Sequence, residues 1–478
     1  MKRRIRIQVD TDGEMRQIFV GFGGKIKILI FRMSHWNWTV MKTVAFYTLG
    51  CKVNQYDSAA LASLFARRGY RVTDGFETVA DVYVINTCTV TRAADKKSRQ
   101  AIRRAVRRSP GAVVAVTGCY AQLNPAAVAE IPGVSVVVGT TGREKLVDLV
   151  EEAMSTGRQV VAVKDSFAAY EFADLPAMFA TRTRAFLKIQ EGCRNFCTYC
   201  IVPYARGPLR SRRPEAVLQE ARRLLGAGFK ELVLTGIHIG RWGMDLEPPM
   251  ELAALISRIL KLPGLCRLRL SSIEPKEVVP ALIELMAGDA RFCPHLHIPL
   301  QSGDDTVLER MGRRYTTAEY TAVVQSLRRR IPGIAITTDV MVGFPGETES
   351  AFANTVSFVR YIGFSGLHVF KFSARPGTPA ADFPQQVPQA VKGARLKVML
   401  DIGAELASAY AKRFKGRKVT VLTEGKNADG RWEGHSEHYL PVVFKAGSGL
   451  SGAIVAVMIT AVKGKVLQGM IKEENSDR

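Results

Sequence analysis

The sequence predicts an α/β protein built from three successive parts: an open parallel α/β sheet, a partial (β/α)6 barrel and a small β-barrel. Apolar runs of strand length alternate with helical patterns from residue 42 to about residue 410, which is typical of parallel sheets with crossover helices. After residue 414, short strand patterns are separated by Gly-rich turns, and this change indicates a small barrel. A chain of 478 residues is long enough for several domains with large cores.

Residues 1–40 do not share this pattern. They contain eight Lys/Arg, three acidic residues and two Trp, with weak periodicity, and a clean strand pattern begins directly after Met41. We therefore expect residues 1–41 to be an N-terminal extension that is disordered or lies upstream of the native start.

The first part, residues 42–155, places a cysteine after each of its first three strands. Strands are predicted at residues 44–49, 82–86, 112–117 and 134–138, and helices at residues 56–68, 91–108 and 143–154. Cys51, Cys88 and Cys119 follow the first three strands. Because the carboxyl ends of parallel strands share one edge of a sheet, these cysteines can converge on one point and bind a cluster. The alternative is three unrelated buried thiols.

The second part, residues 183–410, repeats the strand–helix unit six times. Strands are predicted at residues 185–190, 231–235, 267–271, 295–300, 335–342 and 366–372, with helices including 214–225, 251–261, 275–286, 317–330 and 347–362. Active sites of such barrels lie at the carboxyl ends of the strands. Five of these ends carry small or polar residues, which we interpret as one ligand pocket. They are Thr235-Gly236, Ser271-Ser272 with Glu274, Gln301-Ser302-Gly303, residues 343–347 and residues 373–377.

Three cysteines follow the first strand of this barrel in a single loop. The loop reads Cys193-Arg-Asn-Phe-Cys197-Thr-Tyr-Cys200. Thiolates are soft ligands that suit iron–sulfur clusters and zinc. A four-iron cluster has four corners, so three cysteines leave one corner open to bind a small molecule. The alternative is a zinc site whose fourth ligand lies elsewhere.

The chain is strongly basic, with 67 Lys/Arg against 44 Asp/Glu and a formal net charge of +23. This excess favours a polyanionic partner, nucleic acid before a membrane, although a surface kept soluble by its charge is the alternative. The third part, residues 414–475, interleaves cations with aromatic and His side chains, which suits an RNA strand. The basic and aromatic residues at and near this part are Lys412, Arg413, Lys415, Arg417, Lys418, Arg431, His435, His438 and Tyr439. Residues 91–108 form a second basic stretch, which is either a solvated face or a guide for a phosphate backbone.

The cysteine pattern and hydropathy indicate a cytoplasmic protein. Eight cysteines spread over a long chain argue against a disulfide framework. We interpret Cys266 and Cys293 as plain buried thiols. No stretch reaches the roughly 18–20 apolar residues of a membrane helix, so we expect no membrane partner.

Motifs spread over residues 42–475 resemble those of a known family. The first part carries Thr48-Leu-Gly-Cys-Lys-Val-Asn-Gln-Tyr-Asp-Ser58, Asn86-Thr-Cys-Thr-Val-Thr91 and Thr117-Gly-Cys-Tyr-Ala-Gln122. The barrel carries the CxxxCxxC loop, Leu300-Gln-Ser-Gly303 and Gly343-Phe-Pro-Gly-Glu347. These motifs resemble the radical S-adenosylmethionine (SAM) methylthiotransferase family, whose last unit is a TRAM domain. The sequence Gly-Cys-Lys-Val-Asn-Gln is similar to the branch that modifies threonylcarbamoyladenosine at tRNA position 37. The isopentenyladenosine branch usually shows Gly-Cys-Gln-Met-Asn, and the ribosomal-protein branch Gly-Cys-Pro-Lys-Asn.

The resemblance implies two 4Fe-4S clusters and SAM as cofactors. Cys193, Cys197 and Cys200 would hold the cluster that binds SAM and cleaves it to a 5′-deoxyadenosyl radical. Cys51, Cys88 and Cys119 would hold the auxiliary cluster, where the methylthio group is delivered to carbon 2 of the adenine. By resemblance, the SAM pocket is expected to include Tyr199, Gly236, Ser271, Gly343 and Phe344. Many radical enzymes carry Gly-Gly-Glu after the second strand, whereas this chain reads Thr235-Gly-Ile-His238.

The implied partners are the anticodon loop of tRNA and a one-electron donor such as flavodoxin or ferredoxin. The sequence does not give the oligomeric state. Two enzymatic alternatives are methylthiolation of isopentenyladenosine tRNA and of a ribosomal protein. An alternative of another class is a non-catalytic iron–sulfur protein that binds RNA as a redox sensor.

Overall fold

A computed structural model describes residues 41–177 and 183–471, together with the backbone of three short strands nearer the N-terminus. Those three strands form an antiparallel sheet in the order β1-β2-β3. Their bounds are β1 (Arg6–Val9), β2 (Met15–Val20) and β3 (Ile26–Ile30). The rest of residues 1–40 lies outside the described residues, and the status of this predicted extension stays a prediction. The described residues from Lys42 onward form one compact unit, so the predicted domain boundaries within it also remain predictions.

The first part of this unit is a six-stranded parallel sheet in the order β5-β4-β6-β7-β8-β9. Its strands are β4 (Thr43–Thr48), β5 (Arg71–Asp74), β6 (Val82–Thr87), β7 (Val113–Gly118), β8 (Val134–Val138) and β9 (Val160–Ala162). The helices are α1 (Lys52–Arg67), α2 (Arg92–Arg108), α3 (Cys119–Leu123), α4 (Pro125–Ala129) and α5 (Leu146–Thr156). The predicted parallel sheet is confirmed, but the edge strands β5 and β9 were not predicted. Both are short and partly exposed, so they lack the continuous apolar run of a buried parallel strand.

The second part is a partial barrel of six parallel strands, as predicted. Two three-stranded sheets, β10-β13-β14 and β15-β16-β17, are joined by isolated parallel bridges between Leu268 and Phe292 and between Ser272 and His297. The strands are β10 (Arg184–Lys188), β13 (Glu231–Thr235), β14 (Arg267–Leu270), β15 (His295–His297), β16 (Ala335–Val342) and β17 (Gly366–Lys371). A small ribbon of β11 (Gln190–Glu191) and β12 (Arg210–Ser211) flanks the cysteine loop.

The barrel helices pack on the outward faces of these strands and form a large apolar core with them. They are α6 (Val202–Arg206), α7 (Pro214–Gly226), α8 (Leu252–Leu260), α9 (Pro280–Gly288), α10 (Asp305–Arg310), α11 (Thr317–Arg330), α12 (Glu349–Ile362) and α13 (Gln389–Lys412). The long helix α13 was not predicted, since Gly393 and Gly403 interrupt its pattern. Gly403 allows a close approach to β17, because a Cβ there would lie 3.2 Å from the Cβ of Leu367.

The third part is a closed five-stranded barrel in the order β18-β19-β20-β22-β21, which confirms the predicted small β-barrel. Its strands are β18 (Lys418–Lys426), β19 (Trp432–Ser436), β20 (Pro441–Lys445), β21 (Ile454–Lys463) and β22 (Val466–Met470). It packs against the amino-terminal ends of the large barrel's strands. Arg267, the first residue of β14, donates hydrogen bonds to Thr420 O at 2.6 Å and His435 O at 3.2 Å.

The first sheet contacts both edges of the open barrel. On one side, Lys188 of β10 pairs with Asp57 of α1, with 2.8 Å between Nζ and Oδ1. On the other side, Arg375, which follows β17, pairs with Asp95 of α2 at 2.8 Å and donates to Thr89 Oγ1 at 2.7 Å. The first sheet is therefore anchored beside both edge strands of the barrel, which places its cysteines near the cysteine loop.

Candidate active site

The loop of Cys193, Cys197 and Cys200 lies between β11 and α6, at the carboxyl end of the first barrel strand. It follows Gly192, which has a φ of +74° and whose Cβ would lie 1.7 Å from Pro208 O. Only glycine fits this position. Backbone hydrogen bonds fix the loop at both ends: Cys193 N donates to Gly207 O at 3.1 Å, and Cys200 N donates to Cys197 O at 2.8 Å.

Two of these cysteines, Cys197 and Cys200, are poor thiolates without a bound cation. Burial raises the pKa of Cys200 to about 12, and it also raises the pKa of Cys197 although Arg313 opposes the shift. Metal ligation requires the deprotonated thiolate, so a bound iron or zinc would have to supply the stabilising charge.

The second trio lies at the carboxyl ends of three adjacent strands, β4, β6 and β7, as the sequence predicts. Gly50, with a φ of +103°, allows Cys88 to approach, because a Cβ at residue 50 would lie 3.1 Å from Cys88 Sγ. Burial raises the pKa of Cys88 to about 11, and the nearby Cys119 and Cys51 raise it further. The structure therefore brings Cys51, Cys88 and Cys119 into mutual electrostatic range.

Two buried asparagines hold the strand ends that carry this second trio. Asn54 Nδ2 donates to Leu49 O at 2.6 Å and to Thr87 O at 3.0 Å. Asn86 Nδ2 donates to Asn54 O at 2.9 Å. These bonds satisfy the backbone of the turns that precede Cys51 and Cys88, and they connect β4 to β6.

Both cysteine groups open on one cavity of about 770 Å³ inside the barrel. Four of the six cysteines line it: Cys51 from the sheet, and Cys193, Cys197 and Cys200 from the loop. Cys88 and Cys119 are not among its lining residues. A single small molecule can therefore reach both groups without leaving the cavity.

The donor set fits an iron–sulfur cluster better than zinc. Among the described residues, only one group of three His, Cys, Asp or Glu side chains has its ligand atoms all within 4.8 Å of one another, and it contains no cysteine. Thiolates on one tetrahedral zinc, with Zn–S bonds of about 2.3 Å, lie roughly 3.8 Å apart. Cluster thiolates bind different irons and are spaced more widely.

Buried polar atoms without partners point to a polar ligand in this cavity. Thr235 Oγ1, Ser271 Oγ and Gln301 Oε1 lie at the carboxyl ends of barrel strands, line the cavity and have no hydrogen-bond partner among the described residues. Gln301 also has a φ of +67°, which is uncommon for a residue other than glycine. Unpaired buried acceptors and donors are costly, so a bound molecule is expected to satisfy them.

Three of the five residues expected at the SAM pocket line the cavity. They are Tyr199, Gly236 and Ser271. Gly343 and Phe344 do not line it. Helix α13 covers their strand end, since a Cβ at residue 343 would lie 2.3 Å from Lys392 Cγ. Phe344 is fully buried and meets Tyr199 edge-on, with ring centroids 6.4 Å apart.

His238 occupies the position where the sequence departs from Gly-Gly-Glu. Its Nδ1 lies 3.5 Å from Cys193 Sγ, and its Nε2 lies 2.6 Å from Glu277 Oε1. Burial lowers the pKa of His238, but the hydrogen bonds to Cys193 and Glu277 outweigh this and raise it to about 9. An imidazole therefore lies beside the first cysteine of the loop, oriented by Glu277. Sequence reasoning did not predict this contact.

A buried charge cluster connects the two cysteine groups. Arg206, at the end of α6, donates from Nη1 to Asp57 Oδ2 and to Glu191 Oε1, both at 2.9 Å, and from Nε to Cys119 Sγ at 3.3 Å. Lys188 and Arg143 also pair with Asp57. These cations hold the pKa of Asp57 far below its usual range although burial opposes the shift. Arg206 thus joins the helix after the cysteine loop to a cysteine of the sheet.

The C-terminal barrel also reaches the cavity. Tyr439, which has a φ of +64°, lines the cavity beside His295, with ring centroids 5.0 Å apart. The guanidinium of Arg269 lies over the Tyr439 ring at 4.7 Å. The residues predicted to bind RNA therefore fall into two groups. The first group, Tyr439 and His435, faces the large barrel. His435 pairs with Glu424, at 2.7 Å between Nδ1 and Oε1.

Five cations among the residues predicted to bind RNA form an exposed basic surface: Lys412, Arg413, Lys415, Arg417 and Lys418. The other two residues are partly buried: Arg431 pairs with Asp429 at 3.0 Å, and His438 packs against Phe414. A second exposed surface lies on α2 and contains Lys96, Lys97, Arg103, Arg104, Arg107 and Arg108.

Of the two remaining cysteines, Cys293 is buried as predicted, but Cys266 is exposed because it lies in the turn before β14.

No helix in the described part of the chain is both long and apolar enough to cross a membrane.

Comparison with known proteins supports the two-part organisation of the site. Residues 43–139 match the uncharacterized protein family UPF0004, and residues 187–359 match the Radical SAM superfamily. Among solved structures, the radical SAM methyltransferase TsrM from Kitasatospora setae has a TM-score of 0.54 at 17% identity. The match covers 71% of this chain and 74% of that one. At this identity the likeness shows the fold alone.

Several relatives match nearly the whole chain. The threonylcarbamoyladenosine tRNA methylthiotransferase MtaB of Bacillus subtilis is 46% identical over 426 residues, covering 88% of this chain and 94% of that protein. MtaB of Thermotoga maritima is 39% identical, covering 84% and 91%. The tRNA-2-methylthio-N(6)-dimethylallyladenosine synthase of Moorella thermoacetica is 36% identical, covering 90% and 98%. Membership of the superfamily implies a 4Fe-4S cluster and SAM. The chain therefore belongs to the radical SAM methylthiotransferase family, and these three relatives are named as enzymes that modify tRNA.

Proposed function

We propose that this protein transfers a methylthio group to carbon 2 of N6-threonylcarbamoyladenosine at position 37 of tRNA, using SAM and two 4Fe-4S clusters. The observation that carries the proposal is the single cavity lined by Cys51 and by the Cys193–Cys200 loop. It is supported by the 46% identity to a protein named for this substrate.

The two groups of thiolates have separate roles in this proposal. Cys193, Cys197 and Cys200 hold the cluster that binds SAM, and Cys51, Cys88 and Cys119 hold the auxiliary cluster. When bound, these groups supply radical chemistry at an unactivated C–H bond and a methylthio group. The chain itself holds the reactants in one enclosed space and keeps water from them.

The cavity lining binds and orients SAM. Ser271 Oγ and Thr235 Oγ1, which have no partner among the described residues, are available to hydrogen-bond it. Gly236 packs closely against Gln190, since a Cβ at residue 236 would lie 2.8 Å from Gln190 Oε1. A larger residue at this position would therefore displace Gln190. Tyr199 provides an aromatic surface in the same wall. Gly343 and Phe344 support this wall from behind and fix the position of Tyr199.

The exposed basic surfaces guide the tRNA anticodon loop to the cavity. Carbon 2 lies on the base edge, so the adenine must leave its stack to enter, which anticodon-loop bases do at modest cost. A flavodoxin or ferredoxin supplies the electron, and the tRNA substrate places the protein in the cytoplasm.

The test uses anaerobically reconstituted, reduced protein with SAM and a tRNA anticodon stem-loop. Stem-loops carrying threonylcarbamoyladenosine or isopentenyladenosine are compared with a ribosomal protein, and products are identified by nucleoside and peptide mass spectrometry. We expect 5′-deoxyadenosine and a methylthio product with the first RNA. If product forms only with the isopentenyladenosine RNA or only with the ribosomal protein, that molecule is the substrate and the proposed substrate is wrong. Absence of 5′-deoxyadenosine would favour the redox sensor, and a colourless protein would favour zinc.

A further inference from the structure

The cavity contains an ammonium group that no carboxylate of the described chain neutralises. Lys52 directly follows Cys51 and lines the cavity, and it has no hydrogen-bond or ion-pair partner among the described residues. Its Nζ lies 5.9 Å from the ring centroid of Tyr439. Lys52 is only partly exposed, and a partly buried cation without an anion is costly, so its position indicates an anion that comes from outside the chain.

The other buried cations near Lys52 already have partners. Arg269 Nε donates to Glu231 Oε1 at 2.9 Å, and Arg184 pairs with Glu424. Both carboxylates are thus paired with guanidinium groups, and neither forms an ion pair with Lys52 among the described residues. Charge pairing around this end of the cavity therefore leaves Lys52 unmatched.

A row of hydrogen-bonding side chains continues from Lys52 along the cavity wall. Tyr439 contacts the ring of His295, whose Nε2 lies 3.3 Å from Thr337 Oγ1. The same hydroxyl lies 3.0 Å from His297 Nδ1. This wall presents polar groups to the cavity, which suits a polar substituent and not a hydrocarbon one.

The row ends in a small His–Asp–His cluster. His297 Nε2 lies 3.2 Å from Asp339 Oδ1, and His368 Nδ1 lies 3.5 Å from the same oxygen. These hydrogen bonds hold the pKa of Asp339 well below its usual range although burial opposes the shift. The carboxylate of Asp339 is therefore already paired, which leaves Lys52 as the free charge of this wall.

We propose that Lys52 binds the carboxylate of the substrate's threonylcarbamoyl group and that the adjoining polar wall receives its carbamoyl and hydroxyl groups. The inference rests on the proposed function, because the threonylcarbamoyl substituent has a free carboxylate whereas a dimethylallyl substituent has no charge. Lys52 is then a specificity-determining residue: without the anion, its partly buried ammonium is left unpaired.

The test compares two anticodon stem-loops that differ by one charge. One carries threonylcarbamoyladenosine, and the other carries the same group with its carboxylate converted to a primary amide. For each enzyme, kcat/KM for methylthio product and the Kd of the RNA are measured, and the acid-to-amide ratio is taken. Because each ratio is internal to one enzyme, differences in cluster loading cancel.

For the wild-type enzyme we expect an acid preference of about 10- to 100-fold, the range of a charge-assisted hydrogen bond. Lys52→Gln, which is neutral and similar in length, should bring the ratio close to one, and Lys52→Arg should keep most of the preference. The matched control is Lys371→Gln, which removes an exposed ammonium at the rim of the same cavity. It should keep the wild-type ratio.

Three results would overturn the role of Lys52: a wild-type ratio near one, equal losses on both RNAs in Lys52→Gln, or loss of the preference in Lys371→Gln. Equal losses would mean that Lys52 contacts a tRNA phosphate or SAM. Failure of the proposed function is seen separately, as absence of methylthio product from the wild-type enzyme on either RNA. In that case the Kd ratios still decide whether Lys52 reads the carboxylate.

Discussion

Cys193, Cys197 and Cys200 lie in one short loop, whereas Cys51, Cys88 and Cys119 are carried by three strands that are neighbours only in the folded sheet. The loop is shaped by local backbone bonds and by Gly192. The sheet trio depends on the order of β4, β6 and β7 and on the asparagines that connect their ends.

This difference predicts different sensitivities. Damage to the sheet should remove the auxiliary cluster and leave the loop cluster in place. Damage to the loop should stop all SAM chemistry and leave the sheet folded. The charge cluster around Arg206 is the one direct side-chain connection described between Cys119 and the helix after the loop.

The largest effect is expected from Cys197→Ala. Cleavage of SAM to 5′-deoxyadenosine should fall by more than about 100-fold, because even groups behind a metal ligand cost about 10- to 100-fold when removed. The measurement is 5′-deoxyadenosine by chromatography after anaerobic reduction. Cleavage at the wild-type rate would exclude Cys197 as a ligand.

Cys88→Ala should separate the two steps. Methylthio product should be lost, while part of the 5′-deoxyadenosine formation remains, because the loop that binds SAM is untouched. Iron content should fall by about half, since one of two clusters is lost. Full methylthio product from this variant would refute the two-cluster assignment.

Gly118→Ala should break the sheet site without removing a ligand. Gly118 has a φ of +95°, and a Cβ there would lie 2.4 Å from Asn86 Oδ1 and 2.5 Å from Thr87 O. Backbone strain of about 1–3 kcal/mol and overpacking of about 1–3 kcal/mol together predict a loss of about 2–6 kcal/mol in the free energy of unfolding.

The control for this change is Gly157→Ala. Gly157 also has a positive φ, +66°, but a Cβ there would meet nothing within 4 Å. Gly157→Ala should therefore lower the free energy of unfolding only by the backbone strain of about 1–3 kcal/mol. Urea unfolding and iron content measure both variants. Equal losses of stability in the two, with equal iron, would contradict the close packing described beside Cys119.

The smallest effect is expected at the exposed basic surface. The double variant Lys415→Gln, Lys418→Gln should weaken tRNA binding similarly for all tRNAs and reduce the slope of log K against log salt by about 1–2, because each phosphate contact contributes about 0.7–0.9. Lys230→Gln, Lys261→Gln, on the outside of the large barrel, is the control. An unchanged slope of log K against log salt would mean that Lys415 and Lys418 do not contact tRNA phosphates and are only solvated by water. Removing the whole C-terminal barrel is a poorer test, since it would also remove Tyr439 from the cavity.

The cysteines of both groups could be predicted because each is placed by a simple rule: close spacing in one case, strand ends in the other. Lys52 and Tyr439 could not be assigned to the cavity. Lys52 begins α1, four residues before the predicted helix start, because Asn54 and Asp57 are buried polar residues that interrupt the apolar pattern. Tyr439 enters through the contact between two barrels, which no local pattern encodes.

The same limit applies to the fold. Short apolar strands such as β8 were predicted at their observed bounds, because burial on both faces favours a nearly continuous apolar run. Helix α13 was missed, and with it the reason why Gly343 and Phe344 lie behind the cavity wall. Residues 343–347 follow their strand like the other polar ends, but packing by Lys392 decides that they face a helix.

Tyr439 has a consequence for how such enzymes can be recombined. A hybrid protein that carries the C-terminal barrel of a relative would have that relative's residue in place of Tyr439 in the cavity lining. It would also have that relative's exposed surface for binding RNA. Exchange of the C-terminal barrel alone should therefore change which nucleoside the cavity accepts. RNA binding and nucleoside specificity would then change together.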